Sequence, residues 1–142
     1  MMEKITIHVD GAIAGGKNSG IAAVALTTEG YFLGWASRQM AAMTNNEAEY
    51  QAALLGLTLA QKLGGQVVEI ISDSEILVRQ MQGRSRVLSG RLKPLHQDAC
   101  RIVRHFKQVT FRHVGRDRNQ LADALAANAL AGRLVRMRGG GI

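Results

Sequence analysis

Cysteine is almost missing from this chain of 142 residues: Cys100 stands alone, so no disulfide can form within it. A disulfide-held scaffold is thereby excluded, a reducing, cytoplasmic setting is expected, and the neighbours Ala99, Ile102 and Val103 predict a buried thiol on a helix. Aromatics are scarce too, six in all, so the core has to be built from aliphatic side chains and alanine. No apolar run approaches the roughly 18 residues of a membrane-crossing helix. The opening MMEKITIHVDG carries acids and a strand alternation where a signal peptide needs an apolar stretch. Membrane insertion and secretion are therefore not expected, and no repeat is visible. Acids are few in the second half: residues 73–142 hold fourteen Lys/Arg against five Asp/Glu, whereas residues 1–72 hold four against six. Such clustering of cations suits a polyanionic partner, through long-range attraction and counterion release, although a merely solubilising surface has the same composition.

What is present fits one domain with one core. Ile5, Ile7 and Val9 alternate with Thr6, His8 and Asp10, which predicts a half-buried strand ending at Asp10, followed by a glycine-rich turn over GAIAGGKNSG. IAAVALTTEGYFLGWASRQM reads as two strands joined at Glu29-Gly30 by a three-residue loop. Ala48, Ala52, Leu55, Leu59 and Leu63 then recur at spacings of three and four, predicting a helix over 47–63 stopped by Gly64-Gly65. QVVEIISD is a buried strand by length and branching, SEILVRQMQG a short helix, and RLKPLHQDACRIVRHF a third helix with Pro94 in its first turn. QVTFRHV alternates as a strand, and NQLADALAANALAG is a last helix stopped by Gly132. The order β-β-β-α-β-α-α-β-α implies a mixed sheet, antiparallel first and parallel after the first helix, with helices on its faces.

Chemistry concentrates at element ends. TNNEAEYQAALLGL opens a helix with five polar side chains in six positions, of which a capping box explains Thr44 and Glu47 and leaves Asn45, Asn46 and Glu49 without a helical role. Asp10 is expected to end one strand, Asp73 to end another and open a helix, and Asp123 to lie one turn into the last helix. Parallel sheets form sites outside the carboxyl ends of their strands, so Asp10 and Asp73 can meet there with Glu49 and Asp123 alongside. Four ionised carboxylates in one place repel by several kcal/mol unless cations intervene. Hard divalent ions such as Mg²⁺ take this oxygen-rich donor set, and two of them about 4 Å apart can cleave a phosphodiester. Each acid also has a plain reading: Asp73 and Asn119 are N-cap types, Glu49 suits a solvated helix face, and Asp10-Gly11 suits a turn. The joint placement favours a nuclease.

HVDGA, TNNEAEYQAALLGL, ISDSEILVRQMQG and HVGRDRNQLADALA, in this order and spacing, resemble type 1 ribonuclease H over nearly the whole chain, notably its compact prokaryotic and archaeal-like members. The resemblance implies an α/β, ribonuclease H-like fold: a five-stranded mixed sheet, its first three strands antiparallel and the remainder parallel, flanked by helices. The domain is expected over 1–135, with 136–142 a short basic, glycine-rich tail. It implies an endonuclease that hydrolyses the RNA strand of RNA/DNA hybrids, leaving 5′-phosphate and 3′-hydroxyl ends. Asp10, Glu49, Asp73 and Asp123 would be both the catalytic and the metal-binding residues, holding two Mg²⁺ ions with substrate, or Mn²⁺ in their place. Gly11, Asn18, Thr44, Asn45, Asn46, Arg84, Arg86 and Asn119 would bind substrate, the asparagine pair reading 2′-hydroxyls in the minor groove and Thr44 a phosphate of the DNA strand. The partner is an RNA/DNA hybrid, with double-stranded RNA a second candidate, and the working state a monomer away from membranes.

Three departures from the family pattern stand out. VGRDRN lacks the loop histidine that many members carry before the last helix, leaving His113, Arg116 and Asp117 as candidates for its place. GRSRVLSGRLK replaces a basic protruding helix with a short connection, where Arg84, Arg86, Arg91 and Lys93 are candidate phosphate contacts. Glu75 stands where glutamine is frequent, removing a donor. His8, on the strand face of Asp10, is read as packed or as a support to the metal site. Two rivals remain, a non-catalytic hybrid or double-stranded RNA binding module and a nuclease of the same fold acting on structured DNA. Retention of all four acids opposes the first, and the asparagine pair after Thr44 opposes the second.

Overall fold

Alternating apolar and polar side chains from Lys4 to Ile13 form the first strand, β1, whose Ile5, Ile7 and Val9 are fully buried on one face. The computed structural model describes residues 4–133. β2 (Asn18–Leu26) and β3 (Phe32–Ala41) complete an antiparallel meander, while β4 (Val67–Ser72) and β5 (Gln108–His113) extend the sheet from the other edge of β1. The order across the sheet is β3-β2-β1-β4-β5, with the β1–β4 and β4–β5 pairs parallel. Helices α1 (Asn45–Lys62), α2 (Glu75–Met81), α3 (Lys93–Val103) and α4 (Gln120–Leu130) flank it. This is the five-stranded mixed sheet that the resemblance implied.

The main core lies between the sheet and α1, where Ile5, Ile7, Val9, Leu57, Leu59, Val68 and Ile70 pack together. Helix α4 covers the opposite face over β1, β2 and β3, with Ala122, Leu125 and Ala126 against Ala22 and Val24. Two glycines set how closely these helices approach. A Cβ on Gly11 would lie 2.6 Å from the carbonyl carbon of Ala48 in α1, and one on Gly20 would run into the Ala126 carbonyl and the Leu130 amide of α4. Both helices therefore sit almost on the strand backbone, a closeness that larger residues would forbid. No helix among the described residues is long and apolar enough to cross a membrane.

Several sequence expectations need correction. Asp10 does not end its strand: β1 pairs with β4 only as far as His8↔Ile71, but its pairing with β2 continues to Ile13↔Ser19. Asp10 thus lies just past the end of the parallel pairing while still held on one side by β2. The β2–β3 connection spans 27–31, longer than three residues, closed by Thr27 N–H donating to the Tyr31 carbonyl at 2.8 Å. α1 begins at Asn45 because Thr44 is its N-cap, and the full capping box is present. Asp73 opens no helix, since the cap of α2 is Ser74, whose Oγ accepts from Leu77 N–H at 3.3 Å. α3 stops at Val103, leaving Phe106 to pack into the core from a loop. Cys100 is half-buried, its Sγ 3.7 Å from His96 Nε2, rather than enclosed. The 136–142 tail lies outside the described residues, as do 134 and 135 of the expected domain.

Candidate active site

Four segments deliver one carboxylate each to a single cleft: Asp10 from β1, Glu49 from the second turn of α1, Asp73 from the link after β4 and Asp123 from the first turn of α4. Oxygens of Asp10, Glu49 and Asp73 all lie within 4.8 Å of one another. Asp123 lines the same cleft, near enough to Asp10 to help raise its carboxyl. The capping box fixes where α1 starts, and the close approach at Gly11 then brings the Gly11 N–H to Glu49 Oε1 at 2.9 Å. Ser72 Oγ accepts from Ser74 N–H at 3.0 Å, shaping the turn that presents Asp73.

Asp10 and Glu49 expose only 3% and 6% of their surface, so little water shields them. Charges at such separations repel by about 3–4 kcal/mol per pair at an effective dielectric of roughly 20. Burial, then the charges of Glu49 and Asp73 and the nearness of Asp123, push the Asp10 carboxyl up to about 9. Burial also raises Glu49, to about 7, against the stabilising Gly11 amide. Free of cations, the cleft therefore holds a proton on Asp10, shared with its neighbours. An all-oxygen donor set that retains protons for want of positive charge fits hard divalent cations, and Asp10, Glu49 and Asp73 are the residues placed to hold one.

Among the described residues lining the cleft, Arg116 is the one cation, with Nε 4.0 Å from Asp73 Oδ2. It lies in a short 3-10 turn, 116–118, ahead of α4, whereas His113 and Asp117 are not among the lining residues. Of the three candidates for the loop position, Arg116 alone reaches the cleft. Asn45, Asn46, Gly11 and Glu75 also line it. Thr44 is exposed nearby, its Oγ1 accepting from Glu47 N–H at 3.2 Å. Asn18 is exposed at the start of β2 opposite Ala41, and Arg84 and Arg86 are exposed after α2, all outside the cleft lining. Ile13 and Ile76, at 40% and 48% exposure, line the cleft as apolar residues that the sequence pattern assigned to a turn and to a helix without singling them out.

Asn119 corrects the expectation of a substrate contact. It is 1% exposed, its Nδ2 donates to the Val9 carbonyl at 2.8 Å and its Oδ1 lies 3.1 Å from His8 Nδ1, so both side-chain atoms are already engaged. Nor does its side chain cap α4. The tie had no local signal, because its partners lie 110 and 111 positions away.

The reverse transcriptase-like family model matches residues 8–129. A bifunctional protein of Mycobacterium tuberculosis is 33% identical over 129 residues, covering 89% of this chain and 35% of its own length. The ribonuclease HI of Halobacterium salinarum is 30% identical over 130 residues, covering 89% of this chain and 64% of its own. This chain thus spans about a third of the mycobacterial relative's length. The solved N-terminal ribonuclease H domain of that relative superposes with a TM-score of 0.88 at 32% identity, covering 92% of this chain and 95% of the domain. A compost-derived ribonuclease H1, solved in complex with an RNA/DNA hybrid, gives 0.85 at 32% identity, covering 90% and 97%. With the match running from β1 through α4 and every strand in the same arrangement, the chain belongs to the reverse transcriptase-like family, within its type 1 ribonuclease H group.

Proposed function

We propose that the chain is a divalent-metal-dependent endonuclease that hydrolyses the RNA strand of RNA/DNA hybrids, leaving 5′-phosphate and 3′-hydroxyl ends. The observation that carries the reading is the convergence of Asp10, Glu49 and Asp73 within 4.8 Å, with Asp123 beside them, at the floor of a cleft edged by Asn45 and Asn46. The ribonuclease H1 solved with a hybrid supports the choice of substrate. When bound, a pair of Mg²⁺ or Mn²⁺ ions would supply an activated water and stabilise the leaving oxygen. Glu49 is held by the Gly11 amide, which fixes the direction of its carboxylate toward an entering cation. Asn45 and Asn46, in the first turn of α1, line the cleft, where their amides would read the 2′-hydroxyls that mark the RNA strand. Thr44 meets a phosphate of the DNA strand from the same helix start, where free amides favour anions.

Arg116 takes the position that a loop histidine holds elsewhere in the family. A guanidinium stays charged and does not shuttle a proton as an imidazole can, so its contribution is charge: it offsets Asp73 before substrate binds and holds a phosphate oxygen afterwards. Arg116→Ala is expected to lower kcat by about tenfold or more, a charge-assisted hydrogen bond being worth about 1.5–3 kcal/mol. Arg116→Lys should recover part of the loss. Steady-state cleavage within twofold of wild type for Arg116→Ala would exclude the role.

Arg84 and Arg86 are read as phosphate contacts along the hybrid. Changing both to Ala should reduce the slope of log binding constant against log salt by up to about two. An unchanged slope places them outside the interface. The overall reading is tested by incubating the protein with Mg²⁺ or Mn²⁺ and end-labelled RNA/DNA, RNA/RNA and DNA/DNA duplexes and a branched DNA. Cleavage of the RNA strand of the hybrid is expected. An intact hybrid in the presence of folded protein would sink the proposal, and cleavage of branched DNA alone would transfer it to the rival nuclease.

A further inference from the structure

We propose that Asn119, oriented by His8, is a positioning residue that sets Asp123 against Asp10. This rests on the metal-dependent reading above. Asn119 touches both sides of the site at once: its side-chain amide donates to the carbonyl of Val9, the residue before Asp10, and its backbone carbonyl accepts from the N–H of Asp123 at 3.0 Å. It is thus a two-bond link between β1 and the first turn of α4, bridging carboxylates 113 positions apart in sequence.

The direction of each bond is set by chemistry. A backbone carbonyl only accepts, so the side Asn119 turns to Val9 must be its NH₂ group, and Oδ1 must face His8. His8 Nδ1 therefore carries a hydrogen and donates to Oδ1 across 3.1 Å. With both ends occupied the amide cannot flip, and the pairing of β1 with β4, which ends at His8, is replaced at the next carbonyl by this side chain. Asparagine is favoured at helix N-caps for the bond it makes to its own helix. Here it sits at that position yet its side chain makes none, its side-chain polar atoms being turned across to β1 instead. Asp10 and Asp123 repel when ionised, and α4 also carries the load of its packing on Ala22 and Val24. A fixed tie beside the two acids keeps both at the one cleft when charge would part them. Neither Asn119 nor His8 lines the cleft. They act through the carboxylates, in the way that hydrogen-bonded supports orient metal ligands.

The test uses Mn²⁺ affinity, measured by titration calorimetry on the whole chain at fixed near-neutral pH, together with kcat and KM on a labelled hybrid. Asn119→Ala is expected to weaken Mn²⁺ binding by about tenfold to a hundredfold and to lower kcat by a similar factor, with KM for the hybrid nearly unchanged. In an Asp123→Asn background the same substitution should change Mn²⁺ affinity by less than about twofold, because the group it positions is already altered. His8→Phe keeps the amide but frees it to turn, and should weaken Mn²⁺ by about twofold to tenfold. It carries the test if Asn119→Ala does not fold. Mn²⁺ affinity of Asn119→Ala within twofold of wild type overturns the proposal, as does an equal loss in both backgrounds. Unchanged affinity in His8→Phe overturns the role of His8. Wild-type protein that binds no Mn²⁺ overturns the metal reading and this tie with it, whereas binding by wild type that Asn119→Ala leaves intact overturns the tie alone.

Discussion

Asp10→Asn is expected to abolish metal-dependent cleavage, with kcat lower by more than about a thousandfold, while affinity for the hybrid in the absence of metal stays within a few fold. The size follows from where the oxygens sit. Asp10 lies against Glu49, Asp73 and Asp123, so on the proposed reading its carboxylate would be among those that hold a cation. An amide offers one neutral oxygen in place of two charged ones, and loss of an electrostatic anchor at a reacting phosphate removes several kcal/mol of transition-state stabilisation, about 1.4 kcal/mol for each tenfold. On the proposed reading hybrid affinity would rest on other groups, the Asn45–Asn46 edge and the exposed arginines, which the substitution leaves alone. Filter binding in EDTA and cleavage in Mg²⁺ separate the two quantities. Retained cleavage would remove Asp10 from the chemistry, and loss of the folded circular dichroism spectrum would make it a structural residue instead.

In the absence of divalent ions the protein should become less stable as pH rises from about 4 to about 9, and Asp10→Asn should remove most of that decline. The sign comes from Asp10, whose carboxyl is pushed from an ordinary 3.8 up to about 9 in the folded chain. Between these values the folded state holds a proton that the unfolded state has released, so unfolding gains ground as pH rises. Glu49, raised to about 7, adds in the same direction over the lower part of the window. At pH 8 the metal-free Asp10→Asn protein is expected to melt several degrees above wild type, about 1 kcal/mol being worth roughly 3–5 °C in a chain of this size. Mg²⁺ or Mn²⁺ should raise the wild-type melting temperature, more at pH 8 than at pH 5, because cations compete with protons for the same oxygens. Thermal melts in EDTA across this range decide it. A wild-type melting temperature that climbs with pH would show the acids are not crowded in solution.

Local chemistry made some of this readable from the chain alone. The Thr44–Glu47 box appears in the structure with both of its bonds, at 3.2 Å and 2.9 Å, because a capping box involves residues three apart and depends on nothing distant. Alternation in β1 and the three- and four-residue spacing of α1 marked their buried faces for the same reason. Boundaries were less legible. The strand expected to end at Asp10 continues to Ile13 because β2 lies beside it, and the expected cap at Asp73 passes to Ser74, since the chain after β4 must turn before it can coil.

The chain alone marked the candidate residues and the kind of element near which each sits: acids on or just after strands and near helix starts, an asparagine pair behind a cap, a basic second half. Local propensity and spacing contain that much, since they involve neighbours within about one turn or one pleat. Tertiary structure alone decided the rest. It put oxygens of Asp10, Glu49 and Asp73 within 4.8 Å, chose Arg116 over His113 and Asp117 for the cleft, and turned Asn119 from a surface contact into a buried tie. These are distances between segments separated by tens of residues, and they are set by how closely α1 and α4 settle on Gly11 and Gly20, a matter of three-dimensional packing that no local pattern records.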